Sequence, residues 1–179
     1  MKLTIIAGGN RKESTSTKLL RYMEKALWEK EIEVTFIDLH RHTLPLYSSD
    51  AAEPSEQIDL LVQAVAEADG VILGTPEYHG SFSGTLKNAL DYLGAAQFEG
   101  KPVLVASSAA GAVGVSSLTQ LQTVVRNLHG INCTEWVSIG GEARSFGEDG
   151  EPASDKVKQR VLYALEHLTR LVRQLRLAD

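Results

Sequence analysis

Three short stretches of this chain collect the residue types that hold a phosphate and a flat polar ring. The first is AGGNRKESTSTKL, Ala7 to Leu19, where Gly8 and Gly9 let the backbone bend closely. Arg11, Ser14, Ser16 and Thr17 then place a cation and hydroxyls at the start of a helical segment. A helix start already offers unpaired N–H groups and a positive dipole end, so a phosphate there would be held by amides, hydroxyls and Arg11 together. The plainer reading is a Ser cap on an ordinary turn. The stretch lacks the Gly-Lys-Ser/Thr of a P-loop and the G-x-G-x-x-G dinucleotide fingerprint, so a monophosphate without magnesium fits it better than a nucleoside triphosphate.

The second stretch is GTPEYHGSFSGTLKNALDYL, Gly74 to Leu93. Gly74 and Pro76 set a sharp turn, after which the N–H groups of Glu77, Tyr78 and His79 are expected to be free. Gly80 and Gly84 supply room, and Ser83 or Thr85 can start the following helix. Exposed amides beside an aromatic side chain suit the polar edge of a heteroaromatic ring; a solvated connecting loop is the alternative. The third stretch, SSAAGAVGVSS, carries Ser107, Ser108, Gly111 and Gly114 with only small residues between them. Small residues permit close backbone approach to a flat ligand.

The elements that must position these loops alternate along the chain. Strands are expected at Leu3 to Ala7, Val34 to Leu39, Val71 to Leu73, Val103 to Ser107 and Trp136 to Ile139. Between them fall helices at Ser14 to Lys30, Ile58 to Ala68, Leu86 to Leu93 and Leu118 to Leu128, and a last one from Val157 to Leu175. Nearly unbroken apolar strands in strict β-α alternation imply an α/β fold, a five-stranded parallel sheet with helices on both faces. The order 2-1-3-4-5 is favoured, and it puts the ligand site in the loops after strands one, three and four.

Bulk properties narrow the ligand. The 179 residues, 43% hydrophobic, suit one domain spanning 1–179. A net charge of −5 lacks the basic excess expected for nucleic acid. No apolar run is long enough for a membrane span or a signal peptide, and with the single cysteine, Cys133, a cytoplasmic protein is expected. The polar segments 41–56 and 140–154 read as surface loops. GSFSG has Phe82 at its centre, so it is no nucleophile elbow. His40 with His42, and His129 with Cys133, supply too few ligands for zinc, and no metal is expected.

With these residues in view, the chain resembles the NADPH-dependent FMN reductase family of flavodoxin-like proteins, which includes azoreductases and quinone or chromate reductases. The resemblance lies in G-x-x-R-x-x-S after the first strand, in TPEYHGSFSGTLKNALDYL and in the small-residue Ser/Gly loop. It implies a flavodoxin-like three-layer sandwich that binds FMN. The phosphate loop falls on Gly9, Arg11, Ser14, Ser16 and Thr17, the ring-contacting loop on Pro76, Glu77, Tyr78, His79 and Gly80, and the loop on the ring's other side on Ser107, Gly111 and Gly114. Two positions depart from the family: His79, where many members have Asn, and Gly9, where Ser is frequent.

The activity implied is hydride transfer from NADPH, or NADH, through FMN to a small-molecule acceptor by a ping-pong mechanism. Acceptors of the family include quinones, azo compounds, free flavin and metal oxyanions. Tyr78 and His79 are the candidates for shaping the pocket or passing a proton, and backbone N–H groups of the 76–80 loop for steadying charge on the ring. Family members are homodimers or homotetramers, and the apolar faces of the Leu86 to Leu93 helix and the last helix would supply the contacts. A flavodoxin-type electron carrier and a nonenzymatic FMN-binding protein are the alternatives, although Arg11 and Lys12 are unlike a flavodoxin's phosphate loop.

Overall fold

The computed structural model describes residues 1–50 and 55–176, so part of the 41–56 loop lies outside the described residues. Five parallel strands form one sheet in the order β2-β1-β3-β4-β5. These are β1 (Lys2–Ala7), β2 (Glu33–Asp38), β3 (Gly70–Pro76), β4 (Pro102–Ala109) and β5 (Ile131–Gly140). The helices are α1 (Thr15–Trp28), α2 (Glu56–Ala66), α3 (Gly84–Asp91), α4 (Ala95–Phe98), α5 (Val115–Asn127) and α6 (Asp155–Arg176). A 3-10 turn, Gly141–Arg144, follows β5 directly.

The central strands form because their side chains are buried on both faces. Every residue of β3 and of β4 is buried, which is why they read as continuous apolar runs. One core joins β1, β4 and β5 to α1 and α6 through Leu19, Leu20, Met23, Leu165 and Leu168; the other packs α2, α3 and α5 through Leu61, Leu86 and Leu118. Fully burying such a side chain stabilises the fold by about 1.5–3 kcal/mol. Truncating Leu20, at 1% exposure, would cost about 2–5 kcal/mol by leaving a cavity.

Register brings the strand ends to one edge. Ala7 pairs with Asp38 and with Gly74, Pro76 with Ser108, and Ala109 with Gly140. The loops after β1, β3, β4 and β5 therefore leave the sheet side by side. Three elements differ from expectation. β5 begins at Ile131, five residues ahead of Trp136, because its pairing with β4 starts at Ile131 and polar Asn132 and, after a register shift that holds Thr134, resumes at Trp136 on an edge strand. The short α4 is added after α3, and its Phe98 is fully buried. The start of the expected 140–154 surface loop is instead the end of β5 and the 3-10 turn.

Candidate functional site

The loop after β1 folds its hydroxyls inward. Ser14 occupies the N-cap position of α1, yet its side chain caps nothing. Its Oγ lies 2.9 Å from Ser16 Oγ, and both residues are buried. The first helical bond is donated by Lys18 N to Ser14 O at 3.0 Å, which leaves the first-turn amides without a capping side chain. No acidic residue stands in that turn to cancel the helix dipole. Gly9 permits the fold-over, since a Cβ there would meet Thr17 Oγ1 at 2.7 Å. That Oγ1 is itself buried without a hydrogen-bond partner.

The loop after β3 is a tight hairpin. Tyr78 N donates to Ser81 O at 2.9 Å and Ser81 N to Tyr78 O at 3.0 Å. Between them His79 and Gly80 both take positive φ, 51° and 76°. Gly adopts that conformation readily and Asn and His are enriched in it, so His79 meets a backbone demand that Asn would also meet. Of the three N–H groups expected to be free, Glu77 N donates to Ser108 O at 2.9 Å and Tyr78 N is used in the turn. Among the described residues, His79 N has no acceptor.

The Glu77 side chain does unforeseen structural work. Its Oε2 accepts from Ser117 N at 2.9 Å in the first turn of α5, whose own N-cap is Gly114. A carboxylate there replaces the missing cap and complements the helix dipole. Tyr78 Oη donates to Asn10 Oδ1 at 3.0 Å, tying the third-strand loop to the first. Ser83 Oγ donates to Gly8 O at 2.6 Å and accepts from Leu86 N at 3.1 Å, so the residue that caps α3 also anchors the phosphate-type loop.

The loop after β4 is fastened to β5. Ser107 Oγ donates to Gly114 O at 2.8 Å, Gly114 N to Ser138 Oγ at 2.7 Å, and Gly141 N to Gly111 O at 2.9 Å. Ser107, Gly111 and Gly114 thus shape the loop. Ser108 is the serine that lines the cleft, and its buried Oγ has no partner.

A cleft of about 240 Å³ opens between these loops, lined by Arg11, Ser14, Ser16, Pro76, Glu77 and Tyr78, with Thr15, Ser108, Ala110 and Arg144. The first six are residues that sequence reasoning names; Gly9, Thr17, His79 and Gly80 are not among its lining residues. Arg144 and Asn10 were missed as site residues, while Ser108 falls within the expected Ser107 to Gly114 loop. Arg144 extends from the 3-10 turn, donates through Nη2 to Thr15 Oγ1 at 3.3 Å, and keeps a buried Nε without a partner. Its only sequence signal is a cation just after the Gly140-Gly141 strand end. Two guanidinium groups, hydroxyls and uncapped amides meeting beside buried, unpartnered Ser108 Oγ and Arg144 Nε fit an anionic ligand with a polar ring. An FMN phosphate, sugar chain and ring edge satisfy that donor set.

The sheet order and this carboxyl-edge cleft define a flavodoxin-like α/β protein with a mononucleotide site. The chain belongs to the NADPH-dependent FMN reductase family, whose model matches residues 1–144. It is an FMN-dependent NAD(P)H oxidoreductase. Over 156 residues it is 36% identical to an FMN-dependent NADPH-azoreductase of Staphylococcus aureus, covering 84% of this chain and 82% of that one. Its fold is similar to that of FerB, a flavoenzyme NAD(P)H:(acceptor) oxidoreductase from Paracoccus denitrificans, with a TM-score of 0.83, 23% identity and 97% of each chain covered. A flavodoxin from Streptococcus pneumonia TIGR4 superposes with a TM-score of 0.64 at 13% identity, over 94% of this chain and 97% of that one.

Proposed function

We propose that the enzyme reduces azo compounds and quinones with NADPH, using FMN held in the 240 Å³ cleft. The observation that carries the site assignment is the pair of buried, unpartnered polar atoms, Ser108 Oγ and Arg144 Nε, on residues that line one cleft from two loops. In this reading the phosphate lies against Ser14, Ser16, Thr17, Arg11 and Arg144, and the ring edge against Pro76, Glu77, Tyr78, His79 and Gly80. When bound, FMN supplies the hydride acceptor and donor, so the protein itself provides no redox group. His79 N would donate to the ring edge, where preorganised amides stabilise developing charge. Tyr78, 40% exposed and braced on Asn10, would wall the face on which nicotinamide and acceptor stack in turn. His79, at the exposed tip, is the candidate to pass a proton to an azo nitrogen or a quinone oxygen.

The azo substrate class is supported by the Staphylococcus aureus relative, and the wider acceptor range by the FerB likeness. Steady-state rates with NADPH and an azo dye, or NADPH and a quinone, test both. Parallel double-reciprocal lines are expected for substrates that share one stacking position; intersecting lines would overturn the shared position.

The proposal extends to assembly. The chain would be one domain over 1–179, active in the cytoplasm as a homodimer or homotetramer through α3 and α6. Leu162 and Tyr163 of α6 are 39% and 57% exposed, which supports an apolar contact there. A monomer by light scattering at micromolar concentration would contradict the assembly. Among the described residues no helix is long and apolar enough to cross a membrane.

A further inference from the structure

A second cleft, of about 430 Å³, opens beside the first, and Ser14 lines both. Its cations are Lys12, Lys18, Arg21 and Arg41, set against two carboxylates, Glu13 and Asp38. That positive balance stands out in a chain of net charge −5. Lys18 is paired with Glu13 at 2.8 Å, Arg21 with Glu24 at 2.8 Å, and Arg41 Nε lies a loose 3.7 Å from Asp38 Oδ2. Lys12 has no acidic partner among the described residues. Thr17, whose buried Oγ1 lacks a partner, lines this cleft and not the first.

Asp38 gives the cleft direction. It ends β2 and pairs in register with Ala7, the residue that leads into the phosphate-type loop. In the Rossmann version of the doubly wound fold, an acid about 20 residues beyond the glycine turn receives a ribose hydroxyl while the pyrophosphate lies on the helix start, and Asp38 offers the same acceptor here without that glycine fingerprint. Asp38 Oδ1 accepts from His40 N at 3.1 Å, and its Oδ2, with only the loose Arg41 contact, retains acceptor capacity. The cleft volume falls within the range of about 300–1,000 Å³ usual for small-molecule sites.

We infer that this second cleft takes the adenosine-phosphate half of a flavin dinucleotide, so that the chain binds FAD as well as FMN. The inference rests on the flavin reading of the first cleft. A phosphate on Ser14 then carries its second substituent into the cationic side. The second phosphate meets Lys12 and Lys18, and the ribose meets Asp38. Both clefts are used by one molecule.

The test is a fluorescence titration of the apoprotein with FMN and with FAD, repeated on the Lys12→Gln/Arg41→Gln double variant, whose two positions are exposed. The wild type is expected to bind FAD with a Kd within about tenfold of that for FMN. Loss of charge-assisted contacts is expected to weaken FAD by about tenfold or more while FMN changes less than about twofold. FMN binding without FAD binding overturns the inference and leaves the first cleft's reading intact. Failure of FMN itself overturns both, and equal weakening of the two flavins overturns the dinucleotide assignment. ADP added to the FMN-loaded protein distinguishes the other source of the same chemistry. ADP binding that the double variant abolishes, in a protein whose apo form binds FMN but not FAD, would assign the cleft to a separate nucleotide such as the hydride donor, and would overturn the assignment to FAD.

Discussion

Replacing Arg144 with Ala separates cofactor binding from folding, because the two effects have different sizes. A hydrogen bond from a charged group contributes about 1.5–3 kcal/mol, so losing the contact to a phosphate should raise the Kd for FMN roughly 10- to 150-fold. The folded apoprotein responds differently. There Arg144 makes one long bond, 3.3 Å to Thr15 Oγ1, and buries Nε unpaired. Removing the bond costs about 0.5–1.5 kcal/mol, while removing a buried unmet donor returns about 1–3 kcal/mol. The balance runs from about 0.5 kcal/mol lost to about 2.5 kcal/mol gained, so at about 2–4 °C per kcal/mol for a chain of this size the apoprotein melting temperature should fall by no more than about 2 °C. With FMN in excess, each tenfold loss of affinity removes about 1.4 kcal/mol of ligand stabilisation, so the holoprotein should lose several degrees more than the apoprotein. Arg144→Lys, which restores charge without the planar fork, should be intermediate. Flavin fluorescence titration and paired thermal melts read both quantities. A Kd within about threefold of wild type, or a larger fall in the apoprotein's melting temperature than in the holoprotein's, would refute the argument.

Other expectations follow from local geometry. His79→Asn should hold stability and flavin affinity near wild type, whereas His79→Val should destabilise by about 1–3 kcal/mol in urea melts, because φ is 51° there. If azo reduction survives His79→Asn but NADPH oxidation does not change, the imidazole passes no proton and the position serves only the backbone. Hydrogen bonds from Lys158 and Lys25 hold the Glu151 carboxyl down from the ordinary 4.5 to about 2. A carboxylate depressed on folding adds stability that is fully present above its unfolded value, so this contribution is lost as pH falls from about 4.5 toward 2. Glu151→Gln should therefore flatten acid denaturation in that window, measured by circular dichroism, and an unchanged acid limb would count against it.

The parts legible in the sequence were those whose pattern is set by local burial. β1, β3 and β4 announce themselves because both faces are covered, and α1 because Leu19, Leu20, Met23 and Leu27 fall on one buried face. Cys133 is a small core residue, buried with its thiol pushed up to about 12 by loss of solvent. The first half of β5 was hidden because an edge strand tolerates polar residues, and α4 because four residues carry no helical period. Within the site, Arg11, Ser14, Ser16, Pro76, Glu77 and Tyr78 were legible because chain-adjacent residue types advertised the chemistry. Arg144 was not, since only the β4–β5 pairing carries its turn to the carboxyl edge. The roles of Glu77 as the cap of α5 and of Asn10 as the brace of Tyr78 depend on contacts 40 and 68 residues apart in sequence, which no local pattern encodes.

The proposed activity needs FMN held in one cleft and a hydride passed to it from NADPH. The most direct measurement is the visible absorbance of the purified protein after FMN loading and desalting, followed during anaerobic titration with NADPH. A retained yellow band is expected, one that bleaches as NADPH is added and returns when an azo dye or a quinone follows. A retained band that neither NADPH nor NADH bleaches would contradict it and leave an electron carrier or a flavin-binding module in its place.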